Sequence, residues 1–322
     1  MIISRTPYRI SFFGGGTDYP SWYKFHGGEV LSTTINHYCY ITTRFLPPFF
    51  KEKSRIVWSK IEAVKDNADI EHNAVRAVLK YLNIKDGVEI HHTGDLPARS
   101  GLGSSSAFTV GLLNAMYALT NHKWIPPLVY EAIKVEQEVM RENVGVQDQI
   151  AAAMGGFNHT AIHQDGSFFI KPVEKRDLED YLLLFFTGVS RTASNIAIEQ
   201  IKNHEKGNKE KETKTMQGMV GEAINILQSR SNIDAFGHLL HESWLIKRSL
   251  AGNITSAFLD DIYNRGRSAG ALGGKLLGAG GGGMMLFFAH PDKHKNIKAE
   301  LKEFLHIPFK FSNKGSEIIY GL

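Results

Sequence analysis

The sequence predicts an α+β protein built from two domains. Three observations carry that expectation. The chain has 322 residues, which is long for one compact unit. Strand-like and helix-like runs follow one another in mixed order, unlike the regular alternation of a doubly wound sheet. Hydrophobic residues make up 43% and charged residues 22%, an ordinary balance for a protein with real cores. The boundary is expected between Phe169 and Tyr181, giving domains 1–175 and 176–322.

Each element has its own signal. "RTPYRISFF", "GEVLSTTI", "HYCYITTRF" and "SRIVWSK" alternate and carry β-branched or aromatic residues, so they read as strands. His72–Ile84 spaces its apolar residues as a helix does, and "GVEIHHT" is another strand. "SSSAFTVGLLNAMYALT" is apolar nearly all round and reads as a buried helix. Pro126–Asn143 is a helix with prolines at its start, and "QDQIAAAMGG" a short helix stopped by glycines. Strands return in "GFNHTAIHQDGSFFIKP" and "YLLLFFTG". Amphipathic helices follow in "MVGEAINILQS", "IDAFGHLLHESWLIKRSLA" and "FLDDIYNRGRSAGA". "GKLLGAGGGGMMLFFA" is two strands around a glycine loop, "HKNIKAELKEFL" a late helix, and "IPFKFSNKGSEII" a last strand.

Composition removes several function classes. No apolar run approaches the ~18 residues of a membrane span. The start, "MIISRTPYRISFF", is broken by Arg5 and Arg9 and reads as a strand rather than a signal peptide. The single cysteine, Cys39, excludes an internal disulfide and a thiolate metal cage, and fits a cytoplasmic protein. It lies in a strand-like run and reads as a buried small hydrophobe. Net charge is +4, much of it in Ile201–Lys214, where acids alternate with bases on a solvated loop or helix face. No basic stripe with interleaved aromatics points to nucleic acid. "HLLHE" (His238–Glu242) is explained by a helix face, not by zinc.

Three glycine-rich stretches carry the chemistry. In "GDLPARSGLGSSSAF" a strand enters glycines and a helix leaves from serines. Small residues admit close approach of a ligand, and a helix N-terminus offers N–H groups to an anion. Ser104, Ser105 and Ser106 can cap the helix, bind phosphate oxygens or hold a metal. The stretch lacks the lysine of the common P-loop. In Gly14–Tyr19, Thr17 and Asp18 offer a hydroxyl and a carboxylate to a polyol, though a tight turn capped by Asp18 explains the pattern equally. Gly278–Gly283 holds five glycines in six residues, more than a hairpin needs, and implies close approach to a ligand or another backbone. Asp148, between two amides and just before a small-residue run, is a crowded place for a charge unless it is paired or used.

These stretches resemble the motifs of the GHMP kinases, the family of galactokinase, homoserine kinase, mevalonate kinase and phosphomevalonate kinase. "TPYRISFFGGGTDY" resembles the first motif, "LPARSGLGSSSA" the highly specific second, and "KLLGAGGGG" the third, in order along the whole chain. "GGGTD" and "QDQ" with the third motif resemble in particular the sugar-phosphate branch acting on D-glycero-D-manno-heptose 7-phosphate. Gly15 and Gly16 stand where galactokinases carry Glu-His, so galactose is a less fitting substrate.

The resemblance implies a ribosomal protein S5 domain 2-like N-terminal domain and a ferredoxin-like C-terminal domain. It implies ATP and Mg²⁺ as cofactors, a small-molecule sugar phosphate as partner, and neither nucleic acid nor membrane; a homodimer is compatible with it. It places Asp148 as the catalytic base and Arg9 as the basic residue facing it. Pro97, Ser100, Gly101, Leu102, Gly103, Ser104, Ser105 and Ser106 fall on the nucleotide site. Ser105 and Glu136 fall on the metal, with Glu138 as the alternative. Gly15, Gly16, Thr17, Asp18, Gly280 and Gly281 fall on the substrate. A substrate that already carries a phosphate needs a second cationic site, for which Arg191 and Lys247 or Arg248 are candidates. The implied reaction is ATP-dependent phosphorylation of an anomeric hydroxyl. The alternatives are a family kinase for fucose, galactose or an octose phosphate, and a non-catalytic nucleotide or sugar sensor. "RIVWSK" is a candidate adenine wall.

Overall fold

The first strand, β1 (Ile2–Phe13), forms where alternation and β-branching place it. The fold is that of a computed structural model, which describes residues 1–121, 127–174, 177–189, 194–229 and 232–321. A glycine turn leads from β1 into α1 (Pro20–His26), a short helix with proline at its start that the strand-like patterning did not predict. β2 (Gly28–Phe45) is one long strand where two were expected. Asn36 explains the difference: its N–H donates to Lys310 O (2.9 Å) and its side-chain oxygen accepts from Lys310 N–H (2.7 Å). The C-terminal segment thereby satisfies the point at which the chain would otherwise turn.

Then come β3 (Ser54–Val57), β4 (Ile61–Val64), α2 (Asn73–Tyr81), β5 (Val88–Gly94) and α3 (Ser104–Leu119). α4 (Leu128–Lys134) runs on into one widened π-helical turn, Val135–Val139. α5 (Gln147–Met154), β6 (Phe157–Ile162) and β7 (Phe168–Pro172) follow. The first sheet has the order β13–β1–β2–β5–β3–β4, in which β13 (Glu317–Tyr320) and the adjoining β12 (Phe311–Ser312) come from the end of the chain. The last expected strand therefore forms as two pieces, and both join the first sheet. β6 pairs with the first half of β2, and β5 with the second.

The second sheet is built from β8 (Leu182–Phe186), β9 (Gly273–Leu276), β10 (Met284–Phe288) and β11 (Leu305–His306). Between β8 and β9 lie α6 (Ser194–Glu205), α7 (Glu210–Gln228), α8 (Asp234–Arg248) and α9 (Ala257–Ser268); α10 (His294–Glu300) precedes β11. The order β11–β8–β10–β9 is antiparallel throughout. Numbered along the chain it reads 4-1-3-2 with helices in both crossovers, the ferredoxin-like arrangement. The alternating charges of Ile201–Lys214 lie at the end of α6 and the start of α7. The expected boundary at 175/176 lies outside the described residues. Cys39 is fully buried, as its strand context suggested.

The whole is α+β. One core cluster spans both sheets, joining Phe12 and Phe13 of β1 to Phe236 of α8 and Phe288 of β10. Among the described residues no helix is long and apolar enough to cross a membrane.

Candidate active site

The register of β1 against β2 slips between Pro7 and Arg9, and again between Ser11 and Phe13. Such bulges re-aim a strand beside a site. Here the N–H of Arg9 donates to Leu102 O (3.0 Å), tying the strand to the second glycine stretch. The Arg9 side chain, 5% exposed, then makes three contacts. Nε and Nη2 donate to the two oxygens of Asp148 at 2.7 and 2.9 Å, and Nη1 to Gly101 O at 2.7 Å. The planar fork of arginine matches a carboxylate in this way. Asp148, in the first turn of α5, is thus joined to the backbone of the second glycine stretch through one side chain.

That loop is clasped by the third glycine stretch. Met284 N–H donates to Ser100 O (3.0 Å), and Gly283 N–H to Val189 O (2.7 Å). Gly101 has φ +83°, and a Cβ there would stand 2.5 Å from Leu277 O. The glycines of Gly278–Gly283 are therefore needed for one backbone to approach another, the second of the two readings the sequence allowed. Gly281 N–H is taken by Ile254 O (2.8 Å), and Gly281 does not face the cavity, whereas Gly280 does.

α3 starts beyond Gly103, which caps it in the left-handed conformation without a side-chain bond. The serines do not cap the helix, contrary to one of their expected roles. Ser104 Oγ accepts from Arg99 N–H (3.2 Å), Ser105 is exposed at the cavity, and Ser106 Oγ donates to Glu136 Oε2 (2.9 Å). Glu136 therefore meets Ser106 rather than its expected companion Ser105. The π turn is the cause: Met140 N–H reaches back five residues to Val135 O (2.8 Å). Glu136 turns inward, and Glu138 stays exposed. Burial pushes the Glu136 carboxyl up to about 7, although hydrogen bonds from Thr109, Ser106 and Gln149 favour its charged form. Its Oε1 is buried with no hydrogen-bond partner. An unpartnered carboxylate oxygen beside serine hydroxyls is a donor set that fits a hard cation such as Mg²⁺.

The first glycine stretch folds as a turn around Asp18. Gly16 N–H and Gln147 N–H donate to its two oxygens at 3.0 and 3.2 Å. Burial, then the charge of Asp148, pushes its carboxyl up. Thr17 faces inward: its hydroxyl lies within donating reach of Gly14 O (2.8 Å) and Glu29 O (2.9 Å) and accepts from Glu29 N–H (3.0 Å), so it braces the turn instead of reaching the cavity. Gly145 has no room for a side chain, because a Cβ would lie 1.9 Å from Asp18 Oδ2.

These parts enclose one cavity of ≈ 540 Å³. It is lined by Arg9, Gly15, Gly16, Asp18, Gly101, Gly103, the three serines, Asp148, Lys247 and Gly280 of the expected residues. Ser100, Leu102, Thr17, Glu136 and Gly281 lie outside that lining, and so does Pro97, which is exposed. Arg191 lies outside the described residues. Arg248 pairs with Asp260 (3.3 Å) and does not line the cavity. Trp58 of "RIVWSK" donates to Glu62 (2.8 Å) and packs edge-on against His72, also away from it. Lining residues to which the sequence assigned no role include Arg99 and Lys275, which stand inside the second and third motifs, and Arg141, Glu142 and Gln200. Lys275 opens the third motif "KLLGAGGGG", but the motif was read for its glycines and gave the lysine no role. A shallower depression of ≈ 410 Å³ beside His26 and Lys214 touches none of the three glycine stretches.

Comparison with known proteins agrees with this architecture. Residues 70–156 match the family model for the GHMP kinases N-terminal domain, and residues 222–307 that for the GHMP kinases C-terminal domain. The chain is 29% identical to a D-glycero-alpha-D-manno-heptose 7-phosphate kinase of Campylobacter jejuni, over 98% of this chain and 97% of that one. It is 27% identical to a galactokinase of Pyrococcus furiosus, over 99% and 97%. A solved D-glycero-D-manno-heptose 1-phosphate kinase from Bacteriodes thetaiotaomicron superposes with a TM-score of 0.76 at 22% identity, covering all of both chains. With both family models matched in order and three motif loops closing one cavity, the chain belongs to the GHMP kinases.

Proposed function

We propose that this protein is an ATP-dependent kinase that phosphorylates the anomeric hydroxyl of a sugar phosphate. The substrate that fits best is D-glycero-D-manno-heptose 7-phosphate, giving the 1,7-bisphosphate for nucleotide-activated heptose synthesis in the cytoplasm. One observation carries the reading. Asp148 is gripped by Arg9 where the phosphate loop, the Asp18 turn and the third glycine stretch converge. The kinship with the Campylobacter enzyme supports the choice of sugar. Gly15 and Gly16 line the cavity beside Asp18, where galactokinases carry Glu-His, which disfavours galactose itself.

The mechanism follows from positioning and charge. Asp18 would hold sugar hydroxyls. A carboxylate has about four lone-pair sites, and Arg9 occupies two on Asp148, leaving capacity to take the anomeric proton. The freed oxygen attacks the γ-phosphorus, the bond to the β-phosphate oxygen breaks, and ADP leaves. Arg9 offsets charge building on the transferred group. The amides at the start of α3 would hold the triphosphate. Glu136 and the serine hydroxyls at the start of α3 would hold Mg²⁺, which would supply further neutralisation of phosphate charge when bound.

Purified protein with ATP, Mg²⁺ and a panel of sugars tests this. ADP release is expected with heptose 7-phosphate; release only with a free sugar such as galactose or fucose would overturn the substrate assignment. Asp148→Asn should lower kcat by at least about 10²-fold while nucleotide still binds. Retained turnover would remove Asp148 as the base.

A further inference from the structure

The cavity lining carries more positive charge than the mechanism uses. Five basic side chains line it (Arg9, Arg99, Arg141, Lys247 and Lys275) against three acidic ones. Arg9 is matched by Asp148. Lys247, in the last turn of α8, is 9% exposed, and Lys275, on β9, is 2% exposed. Among the described residues neither forms an ion pair. Lys275 Nζ donates to Phe12 O (2.6 Å), and Lys247 Nζ to Leu276 O (3.1 Å) and Gly278 O (2.5 Å).

An ammonium group has three donors. Carbonyls take one from Lys275 and two from Lys247, so each keeps at least one. The same carbonyls fix both nitrogens beside β1 and the third glycine stretch. Burying two such groups without an acid is costly. Burial, with the neighbouring charge of Arg9, brings the Lys247 amine down to about 7. Burial likewise lowers Lys275, together with the charges of Lys247 and Arg9. A bound anion supplies the missing counter-charge. Its oxygens must be several and closely spaced to reach both amines, which is the chemistry of a phosphate group.

We propose that Lys247 and Lys275 together form a buried receptor for one phosphate group in the cavity lining. This deepens the kinase reading and rests on it, since both reactants of that reaction bring phosphate. The group belongs either to the nucleotide or to the sugar phosphate, and the test separates the two. Neither lysine touches the proton that Asp148 takes, so their role is binding and positioning.

The first measurement needs no variant. Reductive methylation of the wild-type chain, mapped by peptide mass, should label both lysines, and saturating inorganic phosphate should suppress both labels at least fivefold. Calorimetry with inorganic phosphate follows on Lys247→Met and Lys275→Met, whose melting temperatures should stay near wild type. Each should bind phosphate at least tenfold more weakly. Steady-state kinetics then assigns the source. A tenfold rise in KM for ATP alone marks a nucleotide phosphate; the same rise for heptose 7-phosphate alone marks the sugar's phosphate. Lysines unprotected in the wild type overturn the receptor, as do folded variants with unchanged phosphate affinity, which would make the lysines internal braces. Labelling and calorimetry do not depend on turnover, so failure of the heptose assignment would leave this test intact.

Discussion

Glu136 makes stability depend on pH. Burial holds its carboxyl at about 7, against an ordinary value of 4.5. Between those values the folded chain keeps a proton that the unfolded chain releases. Stability therefore falls as pH rises through that window, by an amount on the order of 3 kcal/mol. Glu136→Gln keeps the shape and removes the titration. Its melting temperature should vary less between pH 4.5 and 7 than that of the wild type; parallel profiles would show that Glu136 is not the source. At this scale the motifs were informative for some residues and not for others: Thr17 braces a turn and Gly281 faces away from the cavity. Arg9, Asp18 and Asp148 do meet in one cavity. The sequence was silent where a neighbour comes from tertiary packing. The Ser106–Glu136 contact depends on a π turn that no spacing rule announces, and the third motif carries Lys275 without saying that its amine is buried at the cavity.

At the level of elements, two loops share one backbone interface. Gly101 is held at φ +83° with Leu277 O where its Cβ would be. Gly101→Ala adds left-handed strain of about 1–2 kcal/mol to a collision with main chain. The expected result is a fall in melting temperature of roughly 4 °C or more and a higher KM for ATP. Gly218, inside α7, is the control. It has nothing within 4 Å of a Cβ, so Gly218→Ala should gain up to about 1 kcal/mol of helix propensity and melt higher. Equal effects of the two substitutions would dismiss the clasp. The glycine count disclosed that something approaches this loop, but not that the visitor is another loop. β2 shows a similar limit. Its pairing changes from β6 to β5 around Asn36, and the partner that keeps it extended, Lys310, is 274 residues away.

Over the whole molecule, the two sheets share one core although the chain was legible as two units. Phe236 of α8 packs edge-on against Phe12 and Phe13 of β1, with ring centroids 5.7 and 5.2 Å away. Lys275 of β9 donates to the Phe12 carbonyl. The chain end returns past the second sheet to pair β12 with β2 and β13 with β1, where Arg5 and Glu317 form an ion pair. These contacts join residues far apart in sequence, which is why local patterning could assign each element and not this union. Multidomain chains commonly unfold in steps. Here neither sheet can open without exposing the aromatic residues that cover the other, and that exposure costs about 25 cal/mol per Å² of apolar surface. Scanning calorimetry should therefore show one endotherm, with a van't Hoff enthalpy close to the calorimetric value. Two resolved endotherms, or a calorimetric enthalpy about twice the van't Hoff value, would mean that the sheets unfold separately and that the shared aromatic core does not couple them.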